Sequence, residues 1–488
     1  MLRIGRRACM STRIYDTALE AIEDIRSGSR IAVGGYGCCG VPENLLRSLR
    51  DFGNYDFTAY SMSCGVMGYG LDILLQTKQL KRVVTSFLGS SREIEKQYMN
   101  GEIELVLVPE GTLAERVRAA GAGIPGFWTK TGVNTIIEEG LFPIKYSPEG
   151  KGVQMVSPGK EKRIFNGQEH LLEQALNTDF SLIKAWKADK MGNLVYRKTA
   201  KNFNPEIAMC SRVTIAEVEQ IVEPGEIEPD EIDTPGIFVN RLVKGEYYEK
   251  PIEHLTLQEE GGKLKIKEKA QQQERLRIAK RAACELKDGM YVNLGLGIPS
   301  MVSNFVPEDT TIFVHSPSGI VGAGAYPRPG EEDPDLVNTN RETISIIQGG
   351  ATCSSILALD MLRGGHMDAV IVGGFQVSQK GDLANWVVPG KYVKGMGSSM
   401  DSIAHERTKL IVTMMHTHEG MPKVLKDCTL PLTGKRCVDL LITELGVFDF
   451  RIDGMTLIEL AKGVSLQEVR DKTGCSFNVA SDLRQMLQ

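Results

Sequence analysis

Four stretches of this sequence hold residue types that chemistry uses. Lys391–Asp401, KYVKGMGSSMD, sets two lysines beside a Gly-Met-Gly loop. Cations with free backbone amides can hold a phosphate-bearing ligand, and a solvated loop shares that composition. His416 and His418 form an HxH pair after a strand, so both can face one side, yet a tetrahedral metal needs further ligands that no neighbour supplies. Solvated loop histidines are the plainer reading. Cys353-Ser354-Ser355 offers a thiol and hydroxyls with no base partner, and a serine helix N-cap suits it better. The last stretch, Thr311–Pro327, is TIFVHSPSGIVGAGAYP, a β-rich run entering Ser-Pro-Ser-Gly and then Gly322, Gly324 and Pro327. Glycines at a strand end let backbone approach a ligand or another backbone. In α/β chains such strand ends are where sites are built.

The elements that must position these stretches repeat along the chain. Ala18, Ile22 and Ile25 space a helix over Tyr15–Arg26, Gly28 ends it, and Arg30–Val33 is a strand running into Gly34-Gly35-Tyr36-Gly37. Val41-Pro42 then opens another helix. The order returns as a helix over Glu274–Leu286, the Asp288-Gly289 turn and a strand over Met290–Leu294. Gly295-Leu296-Gly297 follows, and Ile298-Pro299 starts a helix. A second landmark follows each unit: SMSCGVMGYG from Ser61 resembles SPSGIVGAG from Ser316. Matched landmarks roughly 255–260 residues apart predict an internal duplication. Glu104–Val108 with a helix from near Thr112, Ala369–Val372 and Leu410–Met414 continue the strand–helix alternation, and Gly364-Gly365-His366 reads as a helix-to-strand turn. The expected fold class is α/β, with two similar domains of mostly parallel sheet. Their expected spans are 14–245 and 274–488, joined by a charged linker over 246–273. Neither glycine loop is a P-loop or carries the full dinucleotide fingerprint, so a ligand cradle and a tight turn both remain readings of them.

Length and composition narrow the function classes. A chain of 488 residues is too long for one ordinary core. Net charge near −5 with no basic stripe leaves no nucleic-acid footprint, and no apolar run approaches the roughly 20 residues that span a bilayer. Ten cysteines without a CxxC pair argue against a disulfide framework or a zinc ribbon and fit a reducing compartment. Arg3, Arg6, Arg7 and Arg13 precede the first acid, Asp16, so residues 1–13 read as a mitochondrial targeting segment.

Taken together the motifs resemble the class I coenzyme A transferases, in particular the mitochondrial succinyl-CoA:3-ketoacid group. The runs that carry this are Val41–Leu45 (VPENL), Gly111–Glu115 (GTLAE), Phe165–Gln168 (FNGQ) and Lys184–Asp189 (KAWKAD). Gly381–Trp386 (GDLANW), Pro389–Lys391 (PGK), Val393–Gly397 (VKGMG) and Leu430–Lys435 (LPLTGK) continue it. The resemblance implies two similar domains in one chain, a homodimer, a place in the mitochondrial matrix and ping-pong chemistry. In that chemistry an active-site glutamate attacks an acyl-CoA, forms an acyl–glutamyl anhydride and then a glutamyl–CoA thioester. CoA next passes to an acceptor acid such as acetoacetate or acetate. No metal or further cofactor is implied, with coenzyme A itself the ligand.

The resemblance also implies where this chain departs. The family's glutamate lies in a Ser-Glu-Asn-Gly run, which here reads Ser316-Pro317-Ser318-Gly319. Pro317 has neither a side-chain nucleophile nor an N–H. The family's oxyanion donors, a glutamine and a glycine amide, correspond to Glu110 and Ser398. Glu110 brings a negative charge, or at best a protonated acid, to a developing oxyanion. Further departures fall at Met62-Ser63, Gly89-Ser90-Ser91 and Thr352-Cys353. The expectation is a degenerate member kept as a mitochondrial scaffold or accessory subunit, alone or in a larger assembly. A second reading is a CoA or acyl-CoA sensor binding through Gly322, Gly324, Lys391, Lys394, Gly395 and Gly397. A third is an active transferase with a displaced carboxylate, for which Glu331 and Glu332 are poor substitutes.

Overall fold

The computed structural model describes residues 12–148, 151–258, 272–390, 392–451 and 454–487. Most of the expected targeting segment, the second part of the expected linker and Lys391 therefore lie outside the described residues. The chain enters regular structure at β1 (Arg13–Tyr15). A 9-stranded sheet follows from β1, β2 (Arg30–Val33), β3 (Phe57–Tyr60), β4 (Leu80–Thr85), β5 (Glu104–Leu107), β6 (Thr178–Asp189), β7 (Leu194–Val195), β8 (Ser211–Val222) and β9 (Arg241–Lys244). Its order is β1-β9-β8-β6-β2-β3-β4-β5, parallel throughout, with β7 antiparallel on β6. Parallel strands are buried on both faces, so they read as apolar runs such as IAV in β2.

The second half repeats the plan. Strands β10 (Tyr291–Leu294), β11 (Phe313–Ser316), β12 (Ile320–Ala323), β13 (Ile346–Thr352), β14 (Ala369–Gly373), β15 (Lys409–Thr413) and β16 (Leu440–Ile442) precede β17 (Gly446–Asp449), β18 (Thr456–Leu460) and β19 (Asn478–Gln485). They make a 10-stranded sheet in the order β13-β12-β11-β10-β14-β15-β16-β17-β18-β19. From β11 to β16 the neighbours are parallel, and most pairs outside that centre are antiparallel. Two α/β units with mainly parallel sheets thus stand where the repeated landmarks predict them.

Helices cover the sheets for local reasons. Helix α1 (Glu43–Phe52) buries Leu45, Leu46 and Leu49 on one face and ends at Gly53 with φ 80°. Helix α2 (Glu110–Gly121) begins at Glu110 directly after Pro109, two residues earlier than expected. The expected helix over Tyr15–Arg26 shortens to Ala18–Ile22, capped by the Thr17 hydroxyl, because the preceding residues pair with β9. In the second half, α3 (Gln272–Ala283) and a 3-10 helix over Pro299–Phe305 flank β10. Helix α4 (Ser355–Arg363) packs its Ile356, Leu359 and Leu362 into one core with Leu113 and Val117 of α2. That shared core joins the two halves.

The described part of the linker is not suspended in solvent. Lys250 pairs with Glu219 at 2.5 Å and with Asp335 at 2.8 Å, and Glu253 pairs with Arg341 at 3.0 Å. The charges that mark it as a linker in the sequence are its fastenings to both halves.

Candidate active cleft

Pro317 sits at the tip of a hairpin. β11 and β12 are antiparallel, and the Gly319 N–H donates to the Ser316 carbonyl at 3.0 Å to close the turn. Proline at the second turn position fixes φ where the turn needs it, so Ser-Pro-Ser-Gly is a strong turn former. The tip is buried and its hydroxyls are spent locally. Ser316 Oγ lies 2.7 Å from Ser318 Oγ and 2.9 Å from Thr339 Oγ1, and Ser318 Oγ donates to the Val337 carbonyl at 2.8 Å. Gly319 has φ 102°, and a Cβ there would lie 2.2 Å from the Cys353 carbonyl oxygen. The glycine serves approach to another backbone, the second alternative that the sequence offered.

A cavity of about 460 Å³ opens between the halves beside this hairpin. Tyr36, Glu110 and Lys394–Ser399 line it on one side, and Asn293, Gly295–Ile298, Thr339 and Arg341 on another. Thr339 connects it to the hairpin: its hydroxyl meets Ser316, and its carbonyl accepts from the Tyr36 hydroxyl at 3.3 Å. Glu110 and Ser398 meet here. The Glu110 N–H donates to the Gly397 carbonyl at 2.9 Å, and the Gly111 N–H to Asp401 Oδ2 at 2.8 Å, so the first turn of α2 is held against the loop over 397–401.

The electrostatics centre on two acids. Glu110 is 6% exposed, faces the cavity, and its carboxyl makes no hydrogen bond to a described residue. Burial, with the negative Asp401 close by, pushes it up to about 8 despite the opposing Arg341, so it holds a proton at neutral pH. Fully buried Asp401 is pushed by burial up to about 6, against the pull of Arg363 and of the Gly111 and Thr131 hydrogen bonds. Glu110 is the one carboxylate among the described residues that line the cavity, while Arg275, Arg341, Lys394 and Lys423 supply cations. Burial lowers Lys423 to about 8.

The other residues singled out from the sequence divide between places. Lys394, paired with Glu95, lines the cavity with Gly395 and Gly397. Gly395 has φ 104° and its missing Cβ would lie 2.1 Å from the Ser86 carbonyl oxygen, so the loop is pinned to the first half rather than free to flex. Gly324 lines a second, smaller cavity of about 230 Å³ with Ser316, Thr339 and Tyr326. Gly322 faces Gly350 and Ile347 of β13. Glu331 and Glu332 accept backbone N–H groups of their own turn and line neither cavity.

Two expectations need correcting or sharpening. His416 is not solvated: it is 0% exposed, with Nδ1 3.1 Å from the Thr443 hydroxyl and Nε2 2.9 Å from the Thr473 hydroxyl. Burial holds it down at about 4. His418 is exposed, and among the described residues no group of three or more His, Cys, Asp or Glu is placed to hold a metal. Ser354 caps α4, accepting the Leu357 N–H at 3.3 Å, as the N-cap reading requires. Sequence reading missed Arg341 and Thr339 as cleft residues and Asp401 as the buried acid behind Glu110. Asp401 and Tyr36 stood in singled-out stretches, but nothing local signals the other two.

Comparison with known proteins gives this cleft its context. The family model for coenzyme A transferase matches residues 15–245 and 275–472. The rat protein named succinyl-CoA:3-ketoacid coenzyme A transferase 2A, mitochondrial, is 46% identical over 482 residues, covering 98% of this chain and 92% of that one. The human transferase 2, mitochondrial, matches at the same identity and coverage. The mouse transferase 2B, mitochondrial, is 45% identical over 480 residues, again 98% of this chain and 92% of that one. The fold matches the crystal structure of an Escherichia coli O157:H7 acyl-CoA transferase, a thioester complex with CoA, at a TM-score of 0.76 and 20% identity over 98% of this chain and 96% of that one. Matched by that model through both halves and by relatives over nearly its whole length, the chain belongs to the coenzyme A transferase family.

Proposed function

We propose that this chain binds a CoA thioester in the cleft between its halves and does not carry out CoA transfer through a glutamyl thioester at position 317. The observation that carries this is the hairpin tip: a buried proline between two serines whose hydroxyls are committed to each other, to Thr339 and to Val337. A transfer pathway through a covalent carboxylate has no starting group there. Binding is supported by the cavity itself, with Arg275, Arg341, Lys394 and Lys423 on its wall and the Lys394–Ser399 loop bringing backbone to it. Metals and further cofactors play no part in this proposal.

The relatives named as mitochondrial support a mitochondrial location; within it we place the chain in the matrix, with residues 1–13 as the leader. We assign residues 14–245 and 274–488 to the two domains, with 246–273 between them. The chain acts there as a homodimeric accessory or scaffold subunit, within a larger assembly where one exists, reporting CoA thioester levels by binding. The test is a paired measurement on the purified protein. Calorimetric titration with CoA and succinyl-CoA should show binding, while succinyl-CoA with acetoacetate should give no acetoacetyl-CoA and no borohydride-sensitive adduct on the 316–319 peptide. Turnover near that of an ordinary transferase, or an adduct on that peptide, sinks the proposal. Absence of any binding at millimolar ligand leaves the scaffold role alone.

A further inference from the structure

Among the described residues, Glu110 is the only carboxylate on the wall of the cavity between the halves. We infer that this cleft hydrolyses acyl-CoA thioesters, with Glu110 as the general base that activates water; the inference rests on the thioester-binding reading above.

Three features support it. Glu110 is fixed by its backbone, at the first residue of α2, through the bond from its N–H to the Gly397 carbonyl. Its carboxyl faces the cavity and is not committed to a hydrogen bond with a described residue, so it is available to a water there. The next residue after Gly397 is Ser398, whose N–H no acceptor among the described residues takes, and both Ser398 and Ser399 line the same wall. A base and an uncommitted amide donor on adjoining segments are the parts that addition to a carbonyl needs. Burial and the neighbouring Asp401 push the carboxyl up to about 8, so its base form is the minor one at neutral pH and thioester hydrolysis should rise toward pH 8 and level above it.

The step balances without a further reactant. Water adds through its oxygen to the thioester carbonyl carbon while Glu110 takes its proton, giving a tetrahedral oxyanion that faces the Ser398 N–H. The carbonyl reforms, the C–S bond breaks, and the CoA thiolate leaves with the proton that Glu110 returns. The products are a carboxylic acid and CoA. No oxidation state changes, and the protein carries no covalent intermediate. Water thus takes the place of the acceptor acid, and Pro317 is no obstacle to it.

The test uses the full-length protein with succinyl-CoA and acetoacetyl-CoA, following free thiol release and, separately, calorimetric binding. Wild-type protein should release CoA above the solution rate. Glu110→Gln, which keeps the side-chain shape, should bind the thioester and lose release about 10²-fold or more. A single turnover in heavy-oxygen water should put the label in the released acid. Label in the side chain of Glu110 would instead mark a nucleophile and overturn the base role. Binding without release, or release unchanged in Glu110→Gln, overturns the inference and leaves the binding reading intact. Failure to bind removes both.

Discussion

The backbone N–H of Glu110 donates to the carbonyl of Gly397 across 2.9 Å, joining the start of a helix in the first half to a loop of the second. This bond sets Glu110 beside Ser398, the two positions that the family resemblance assigns to oxyanion donors. It also buries a carboxyl that has Asp401 behind it. The chemistry of the cleft therefore turns on the protonation of Glu110.

Stability should report that protonation. Glu110 holds its proton up to about 8 in the folded chain, against a reference value of 4.5. Above the reference value the unfolded chain releases a proton that the native state keeps, so stability falls as pH rises toward 8 and then levels. Glu110→Gln removes this slope. The variant should match wild type near pH 4–5 and exceed it by about 2–4 kcal/mol at pH 8. Urea denaturation of both proteins across that range checks it. Asp401 is present in both, so the difference isolates Glu110, and parallel curves would mean that Glu110 is ionised in the native state.

Asp401 should act on Glu110 through space. Asp401→Asn removes the negative charge behind Glu110 while leaving an acceptor for the Gly111 N–H. The pH at which Glu110 ionises should move down, seen as a smaller stability gap that levels at lower pH between the Asp401→Asn protein and the double variant that adds Glu110→Gln. The substitution should cost about 1–2 kcal/mol, because a charge-assisted bond becomes a neutral one. An unchanged gap would leave desolvation as the whole cause of the shift.

The hairpin glycine Gly319 should be far less replaceable than the open turn glycine Gly297. Gly319→Ala forces a Cβ to 2.2 Å from the Cys353 carbonyl at φ 102°, so β11, β12 or the start of α4 must move. Gly297 has φ 84° with nothing within 4 Å of its Cβ position. Gly297→Ala should cost about 1 kcal/mol and Gly319→Ala about 3 kcal/mol or more. Thermal unfolding of the two variants decides between backbone strain alone and strain with a clash.

Local features of the sequence predicted the frame well, and those features are local in the structure too. The strand at Arg30–Val33 matches residue for residue, because an apolar run bounded by glycines needs no distant partner to be recognised. The Ser354 cap is legible for the same reason. What escaped is long-range. His416 reads as a loop residue until Thr443 and Thr473 close over it. Arg341, Tyr36 and Thr339 share the cleft only because the two halves fold against each other. The residues over 246–258 look like a free tether because their charges show without their partners.

The departures at positions 110, 317 and 398 should act as one unit. Pro317→Glu alone would set a second carboxylate in the region of Glu110, and two carboxyl groups in one buried site cannot both ionise readily. The single variant should therefore form little adduct with acyl-CoA. Adding Glu110→Gln supplies a neutral donor in place of an acid, and adding Ser398→Gly removes the side chain beside the amide. Adding Glu110→Gln should raise the rate of adduct formation by about 10²–10³, the worth of one oxyanion donor, and Ser398→Gly, which keeps the same N–H, by less. Mass analysis of the 316–319 peptide after acyl-CoA and borohydride reads the series directly. A triple variant that binds the thioester yet stays without adduct would show that the hairpin tip, closed by Ser316, Ser318 and Thr339, holds any side chain at 317 away from the cleft.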